Sequence, residues 1–176
     1  MKSVNILLTG NPGVGKTTLI QKIVAQINQP AIGFYTVEIR QGRNRVGFEI
    51  VTLDGQRGIL AHQDFHSSFR VGKYGVNLID LENIGVVALQ KGLQSDSLIV
   101  VDEIGKMELF SQKFQKVIWM ILDSSNPFLA TITKRPHPVA TRIKARKDVQ
   151  LYEITKSNRN EMVERIVAEI CSNKPI

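Results

Sequence analysis

The chain has 176 residues, of which 43% are hydrophobic, and a formal net charge of +7. This length suits one domain, 1–176, that buries a sizeable core. No apolar run reaches the roughly 18 residues of a membrane span, so we expect no membrane partner. The single cysteine, Cys171, excludes an intramolecular disulfide framework, and we therefore expect a reducing, cytoplasmic location. The sequence leaves the oligomeric state open, and we favour a monomer.

The first predicted strand, 4–9, runs directly into Gly10-x-x-x-x-Gly15-Lys16-Thr17, and a helix is predicted over 17–28. This spacing is that of a phosphate-binding loop. The glycines let backbone N–H groups approach phosphate oxygens, the lysine reaches the β- and γ-phosphates, and the threonine hydroxyl is a ligand for Mg²⁺. The following helix points its positive end at the same anion. The predicted nucleotide-binding residues here are Gly10, Asn11, Pro12, Gly13, Val14, Gly15, Lys16, Thr17 and Thr18.

The rest of the chain alternates strands and helices after one β-rich stretch. Residues 34–61 predict an antiparallel hairpin insertion, because apolar and polar residues alternate around two turn-like sequences, QGRNR and LDGQ. The later predicted elements are a helix near 83–93, strand 97–103, amphipathic helix 108–125, strand 127–133, helix 138–146, strand 149–155 and helix 160–170. This alternation predicts an α/β fold with a largely parallel sheet sandwiched by helices.

Two carboxylates, Asp102 and Glu103, close the buried strand SLIVVDE. Ligands of parallel sheets bind at the carboxyl ends of the strands, where Gly10, Asp102 and Thr133 are all expected. Beside a phosphate loop, Asp102 is expected to hold Mg²⁺ opposite Thr17, and Glu103 is expected to deprotonate the attacking water. The alternative is that these side chains only cap a loop. A charged side chain at the tip of a buried strand is costly unless it has a functional role or a bonding partner.

Two other functions fit parts of the same pattern. The sequence DEIG also fits the D-x-x-G motif of switch GTPases, and TKSN resembles a guanine-reading motif, although Asn158 replaces its aspartate. A small-molecule kinase is the second alternative, with the basic run after the 127–133 strand as its lid. An adjacent Asp-Glu pair suits water activation better than transfer to a second substrate.

The basic segment, 134–147, holds Lys134, Arg135, Arg142, Lys144, Arg146 and Lys147. It is either a polyanion surface or a solvated face, and nucleic-acid binding is not favoured because the segment lacks interleaved aromatics and a known binding module. Arg135, Arg142 and Arg146 are candidates for an arginine finger. Lys106 either neutralises transition-state charge or pairs with Glu103 or Glu108. Asn158 and Arg159 are candidates for base or ribose contact, although a helix N-cap also accounts for Asn158.

Several stretches together resemble the THEP-type nucleoside-triphosphatases, a family of small P-loop enzymes that includes the cancer-related nucleoside-triphosphatase. The resemblance rests on GNPGVGKTTL, GFYTVEIR, GRNRVGFEIVTLDG, VGKYGV, LIVVDEIGKMELFS and ITKSNRNEM, and it covers nearly the whole chain. It implies Mg²⁺-dependent hydrolysis of nucleoside triphosphates, ATP and GTP among them, to diphosphate and phosphate. A nucleotide-gated switch or RNA-interacting protein with slow hydrolysis remains the alternative.

The resemblance also implies a RecA-like core, in which the strand 127–133 lies between the phosphate-loop strand and the Asp-Glu strand. Thr133 at its tip would then sense the γ-phosphate. Glu103 would be the base, and Asp102 would support Mg²⁺. Together with the candidates named above, the predicted catalytic residues are Glu103, Lys16, Lys106 and Arg135. The second nucleotide-binding stretch would consist of Ile99, Val100, Val101, Asp102, Glu103, Ile104, Gly105 and Lys106.

Overall fold

The computed structural model describes residues 4–172, and within them the strands form one nine-stranded mixed sheet. The strands are β1 (Asn5–Thr9), β2 (Ala31–Gln41), β3 (Asn44–Thr52), β4 (Arg57–His62), β5 (Arg70–Val71), β6 (Tyr74–Val76), β7 (Leu98–Ile104), β8 (Phe128–Ile132) and β9 (Val149–Glu153). The helices are α1 (Lys16–Gln26), α2 (Leu78–Asp80), α3 (Val87–Leu93), α4 (Gln112–Asp123), α5 (Pro138–Lys144) and α6 (Glu161–Ser172). A π-helical turn, Leu81–Val86, joins α2 to α3, and a 3₁₀ turn, Glu108–Phe110, precedes α4.

The strand order is β5-β6-β4-β3-β2-β7-β8-β1-β9. Strands β2, β7, β8, β1 and β9 pair in parallel, and β8 lies between β1 and β7, with Leu7 opposite Ala130 and Val100 opposite Leu129. The order implied by the resemblance is therefore confirmed. It brings the phosphate loop after β1 and the carboxylates of β7 to the same edge of the sheet, on either side of β8.

Strand β2 belongs to both halves of the sheet. It pairs in parallel with β7 through Ala31–Phe34 and antiparallel with β3 through Phe34–Gln41. The antiparallel half continues through β4, β6 and β5 to Val76, past the predicted limit at residue 61. Cross-strand ion pairs, Arg45 with Glu38 and Arg57 with Glu49, support this exposed extension.

Two hydrophobic cores cover the two faces of the sheet. On one face, α3, α4 and α5 pack over β7 and β8, with Phe114 and Phe128 fully buried. On the other face, α1 and α6 pack against alternate residues of the same strands, with Ile20 and Ile166 fully buried. Strands covered on both faces are apolar at nearly every position, which explains the runs NILLT and LIVV. This burial makes the central strands a rigid support for the loops at their ends.

The structure corrects one predicted helix. Residues 108–125 do not form one helix, because the chain breaks at Ser111, whose hydroxyl accepts a hydrogen bond from the backbone N–H of Phe114 at 3.1 Å and caps α4. Phe110 lies in the 3₁₀ turn before α4, and its ring contacts that of Phe69, with centroids 5.4 Å apart. Between residues 4 and 172, the model contains no helix that combines the length and the apolar character of a membrane span.

Candidate active site

The phosphate loop connects β1 to α1 at the carboxyl edge of the sheet. Gly15 has φ +101°, a left-handed conformation that L side chains rarely adopt, and α1 begins at the next residue. The Lys16 Nζ donates hydrogen bonds to the carbonyl oxygens of Gly10, at 2.8 Å, and Asn11, at 3.1 Å. The start of the loop therefore bends back toward the lysine ammonium through these two carbonyl groups.

Asp102 is fixed on both sides by hydroxyl groups. The Thr17 Oγ1 donates to Asp102 Oδ2 at 2.5 Å, and the Thr131 Oγ1 donates to Asp102 Oδ1 at 2.6 Å. Only 3% of Asp102 is exposed, and this burial raises the pKa of its carboxyl, against the two hydroxyls and Lys16, which lower the pKa. The two residues predicted to share a metal ion are therefore in direct contact.

Thr131 was missed by the sequence predictions. It is the fourth residue of β8, the strand next to β7, and it is fully buried. A hydroxyl in a strand that is otherwise apolar requires a hydrogen-bond partner, and the neighbouring strand offers Asp102. That polar residue in FLATI was the available signal, but only the pairing of β7 with β8 shows which partner it has.

Glu103 follows Asp102 and is partly buried. Burial raises the pKa of the Glu103 carboxyl, the negative charge of Asp102 raises it further, and Lys16 lowers it. Burial in turn lowers the pKa of Lys16, against Glu103 and Asp102, which raise it. These three groups, from the first residue of α1 and the end of β7, therefore form one electrostatic cluster.

A second buried carboxyl, Glu108, lies beside Glu103. Its Oε2 accepts a hydrogen bond from the backbone N–H of Gly105 at 3.1 Å, and the residue is 4% exposed. A Cβ on Gly105 would lie 3.0 Å from Glu103 Oε1 and 3.1 Å from Glu108 Oε2, so the missing side chain leaves room for both carboxyls. Burial first, and then Glu103, raises the pKa of Glu108 to about 8. In residues 4–172, Lys106 is exposed and pairs with neither glutamate.

The raised pKa of Glu108 predicts a pH-dependent stability. The folded protein keeps a proton up to a pH of about 8 that the unfolded chain releases near 4.5, so this group makes the free energy of unfolding fall as pH rises between those values. Glu108→Gln should remove this slope. From the low-pH end of this window to the high-pH end, the free energy of unfolding of the variant should rise by at least about 1 kcal/mol relative to that of the parent. Urea unfolding at several pH values measures it.

Glu82→Gln is the matched control for this measurement. The ion pair with Lys113 and the hydroxyl of Ser111 lower the pKa of Glu82, with Lys113 as the main cause. Its stabilising contribution is therefore present above the unfolded pKa, so the control should lose stability at high pH, the opposite sign. If the free energy of unfolding changed with pH equally in the parent and in Glu108→Gln, Glu108 would not have the predicted raised pKa.

The structure narrows the second predicted nucleotide-binding stretch. Four of its side chains have no exposed surface and pack in the two cores, namely Ile99, Val100, Val101 and Ile104. These four side chains therefore pack the interior of the strand that holds the carboxylates at its end. Asp102, Glu103 and Lys106 remain the candidates for contact.

Most of the cationic side chains of the basic segment form ion pairs, hydrogen bonds or ring contacts within the protein. Arg146 bonds to Asp123 and Asp148, at 2.7 Å each, and lies with Arg142 against the ring of Trp119, 5.8 and 5.2 Å from its centroid. These two arginines are therefore held against α4, which does not suit a finger that reaches the phosphate loop. The Lys144 Nζ donates to the carbonyl of Thr133 at 2.5 Å, and Lys134 pairs with Glu153 at 2.6 Å.

Arg135 lies on the loop after β8, and its side chain is exposed. Its backbone N–H donates to the hydroxyl of Thr133 at 3.2 Å. Of the three arginine-finger candidates, Arg135 is therefore the one whose side chain is not held against α4.

Comparisons with known proteins agree with this architecture. A family model described as NTPase matches residues 5–167. Over 171 residues the chain is 51% identical to the nucleoside-triphosphatase THEP1 of Thermotoga maritima, covering 97% of this chain and 98% of the relative. The crystal structure of THEP1 from Aquifex aeolicus superimposes with a TM-score of 0.89 at 38% identity, covering 95% of this chain and 99% of the other.

A second solved structure extends the comparison beyond thermophiles. The solution structure of a human cancer-related nucleoside triphosphatase has a TM-score of 0.84 and 38% identity, and the match covers 98% of this chain and 100% of that one. Sequence, fold and coverage point to the same group of proteins. The chain therefore belongs to the NTPase family, a family of enzymes that hydrolyse nucleoside triphosphates.

Proposed function

We propose that this protein hydrolyses nucleoside 5′-triphosphates to the diphosphate and inorganic phosphate with the help of Mg²⁺, and that Glu103 activates the water. The observation that carries the proposal is the direct contact between the phosphate loop and the strand-end carboxylate, Thr17 Oγ1 to Asp102 Oδ2 at 2.5 Å, with Glu103 next in the chain. This contact joins the predicted phosphate site to the predicted base. Its chemistry is that of phosphoryl transfer to water.

The phosphates bind through the loop Gly10–Thr18. Its backbone N–H groups and the positive end of α1 favour anionic oxygens, and Lys16 adds a full charge. In the present structure the Lys16 ammonium bonds to two carbonyl groups of the loop. It exchanges these bonds for phosphate oxygens when the nucleotide binds, so the loop and the ligand compete for the same donor.

The residues present fit Mg²⁺. Thr17 and Asp102 offer a hydroxyl and a carboxylate, the hard oxygen donors that this ion prefers. Among residues 4–172, no three His, Cys, Asp or Glu side chains cluster to bind a metal by themselves, and Mg²⁺ in nucleotide sites takes most of its ligands from phosphates and water. When bound, the ion supplies neutralisation of the charge on the phosphate oxygens. Thr131 keeps the Asp102 carboxylate oriented toward Thr17.

Glu103 provides the base. Its carboxylate accepts a proton from water as the water oxygen bonds to the γ-phosphorus, and the bond from that phosphorus to the β–γ bridging oxygen breaks. The diphosphate leaves with the electrons of that bond. Glu103 then returns its proton to the products. A single positioned carboxylate suffices, because hydrolysis depends mainly on orientation and charge neutralisation.

Two cations remain candidates for stabilising the transition state. Lys106 and Arg135 are both exposed and lie on the loops that follow β7 and β8, the strands that flank the site. Both loops leave the carboxyl edge of the sheet, where the γ-phosphate is bound. We assign each a supporting catalytic role, in preference to Arg142 and Arg146, whose guanidinium groups lie against the ring of Trp119.

Phosphate release by the purified protein tests this function. We expect ATP, GTP, CTP and UTP each to yield one phosphate and the matching diphosphate in Mg²⁺, and no product when EDTA removes the metal. Release of pyrophosphate, or labelled phosphate on a second small molecule, would contradict the proposal, the latter in favour of a kinase. Tight binding with negligible release would favour a nucleotide-gated switch. A steep salt-dependent rise in rate with RNA would favour the RNA-interacting alternative.

A further inference from the structure

An open cavity of about 170 Å³ lies at the start of α1, beside the phosphate loop. It is lined by Gly15, Thr18, Leu19, Lys22, Arg159 and Asn160. The lining residues come from two places, the start of α1 with the glycine that precedes it and the turn before α6. No carboxylate contributes to it, and two of its six residues are cations. The cavity is thus a positively charged recess that adjoins the phosphate loop at Gly15.

A turn closed by side-chain hydrogen bonds positions Arg159 next to the phosphate loop. The Asn158 side chain accepts from the backbone N–H of Thr155 at 2.8 Å and donates to the carbonyl of Glu153 at 2.9 Å, so it closes the turn between β9 and α6. Its predicted role as the N-cap of the last helix is therefore wrong, because its amide is engaged on the preceding residues. The Arg159 Nη1 then donates to the carbonyl of Val14 at 3.1 Å.

The guanidinium lies directly against Gly15. A Cβ at Gly15 would be 3.3 Å from Arg159 Nη1, so the glycine lets the arginine approach the loop. Arg159 is exposed and lines the cavity, and its bond to Val14 uses the Nη1 end of the guanidinium. Within residues 4–172, Arg159 forms no ion pair with any acidic side chain. Its charge and its plane are both available to a ligand.

The direction of the bound nucleotide follows from the rest of the site. The contact of Thr17 with Asp102 marks the metal and γ-phosphate end. Phosphate loops bind the α- and β-phosphates through backbone N–H groups farther along the loop. The α-phosphate end therefore points away from Asp102, toward Gly15 and Thr18, and the nucleoside follows it into the cavity that Arg159 covers.

We infer that Arg159 binds the nucleobase by stacking its guanidinium on the face of the ring, a binding role that rests on the proposed function. Stacking uses a π-face that every base has and reads no hydrogen-bonding edge, so it tolerates purines and pyrimidines alike. This accounts for a site that accepts several nucleoside triphosphates. Lysine does not replace arginine in this role, because its ammonium has charge without a plane.

Steady-state kinetics of the full chain test this role, with inorganic tripolyphosphate as a competitor that has the phosphates and no nucleoside. Arg159→Ala should raise KM for ATP, GTP, CTP and UTP by about 10-fold each, with kcat changed by less than about 2-fold. The inhibition constant of tripolyphosphate should stay within about 2-fold of the parent value, since that ligand leaves the cavity empty. Arg159→Lys should behave like Arg159→Ala.

Lys91→Ala is the control for the loss of one positive charge, because Lys91 is an exposed cation on α3 that does not line the cavity, and its constants should not change. An unchanged KM in Arg159→Ala would overturn the inference. An equal rise in the tripolyphosphate constant would also overturn it, since Arg159 would then bind phosphate, and so would full retention of KM in Arg159→Lys. If the parent released no phosphate from any triphosphate, the proposed function itself would fail, which is a separate outcome.

Discussion

Replacing Glu103 with glutamine should lower kcat for every nucleoside triphosphate by at least about 10²-fold, the typical loss when a general base is removed. The amide has nearly the shape of the carboxylate but does not accept the proton of the attacking water. Thr17, Asp102 and Lys16 keep their positions, so the Kd for nucleotide should stay within a few-fold of the parent. Single-turnover phosphate release and equilibrium binding measure the two quantities separately.

Glu164→Gln is the control for this substitution, because Glu164 is an exposed glutamate on α6. It loses the same charge from the protein and should keep full activity. Near-normal phosphate release by Glu103→Gln would remove Glu103 from the role of base. Loss of nucleotide binding together with activity would instead show that Glu103 supports the structure of the site.

Lys16→Ala should abolish turnover and raise the Kd for nucleoside triphosphates by at least about 30-fold, since removing one partner of a buried charged contact costs about 2 kcal/mol or more. In contrast with Glu103→Gln, both binding and chemistry are lost. The lysine is the group that neutralises the β- and γ-phosphates, and the phosphate loop curls around it through Gly10 and Asn11. Calorimetric titration with a non-hydrolysable triphosphate reports the binding term.

Lys116→Ala controls for the loss of one positive charge, since Lys116 is exposed on α4. Its affinity and rate should equal those of the parent. A melting temperature of Lys16→Ala close to the parent value would show that the fold survives. Tight nucleotide binding by Lys16→Ala would contradict the assignment of residues 10–18 as the phosphate site.

The parallel half of the fold was predictable because its strands are covered on both faces. Runs such as NILLT and LIVV are apolar at nearly every position, and periodic helices separate them. The antiparallel half was predicted only in part. Its last strands, β5 and β6, have two and three residues, too short to show an alternating pattern.

The sequence predicted the residues expected to contact nucleotide and metal better than it predicted the residues that hold them in place. Lys16, Thr17 and Asp102 lie in motifs whose spacing reflects phosphate and metal chemistry, and the structure brings them together. Thr131 and Glu108 carry no such motif. Their roles depend on which strand lies next to β7 and on a turn that buries a carboxyl, and both are properties of tertiary packing.

For the basic segment, the sequence suggested more unpaired positive charge than the structure contains. Composition alone made 134–147 a candidate polyanion surface, since it contains many cations. In the structure, Arg142 and Arg146 stack on Trp119, and Lys134 pairs with Glu153. The aromatic and acidic partners lie outside the segment, on α4 and β9, so the number of unpaired cations could not be judged from the segment itself.

The central claim is that water attacks the γ-phosphorus, and hydrolysis in ¹⁸O-labelled water tests it most directly. Single-turnover cleavage of ATP by the parent protein, followed by mass spectrometry of both products, locates the label. The account predicts one ¹⁸O atom in the inorganic phosphate and none in the diphosphate. Label in the diphosphate together with unlabelled phosphate would place the attack on the β-phosphorus, and this result would contradict the mechanism.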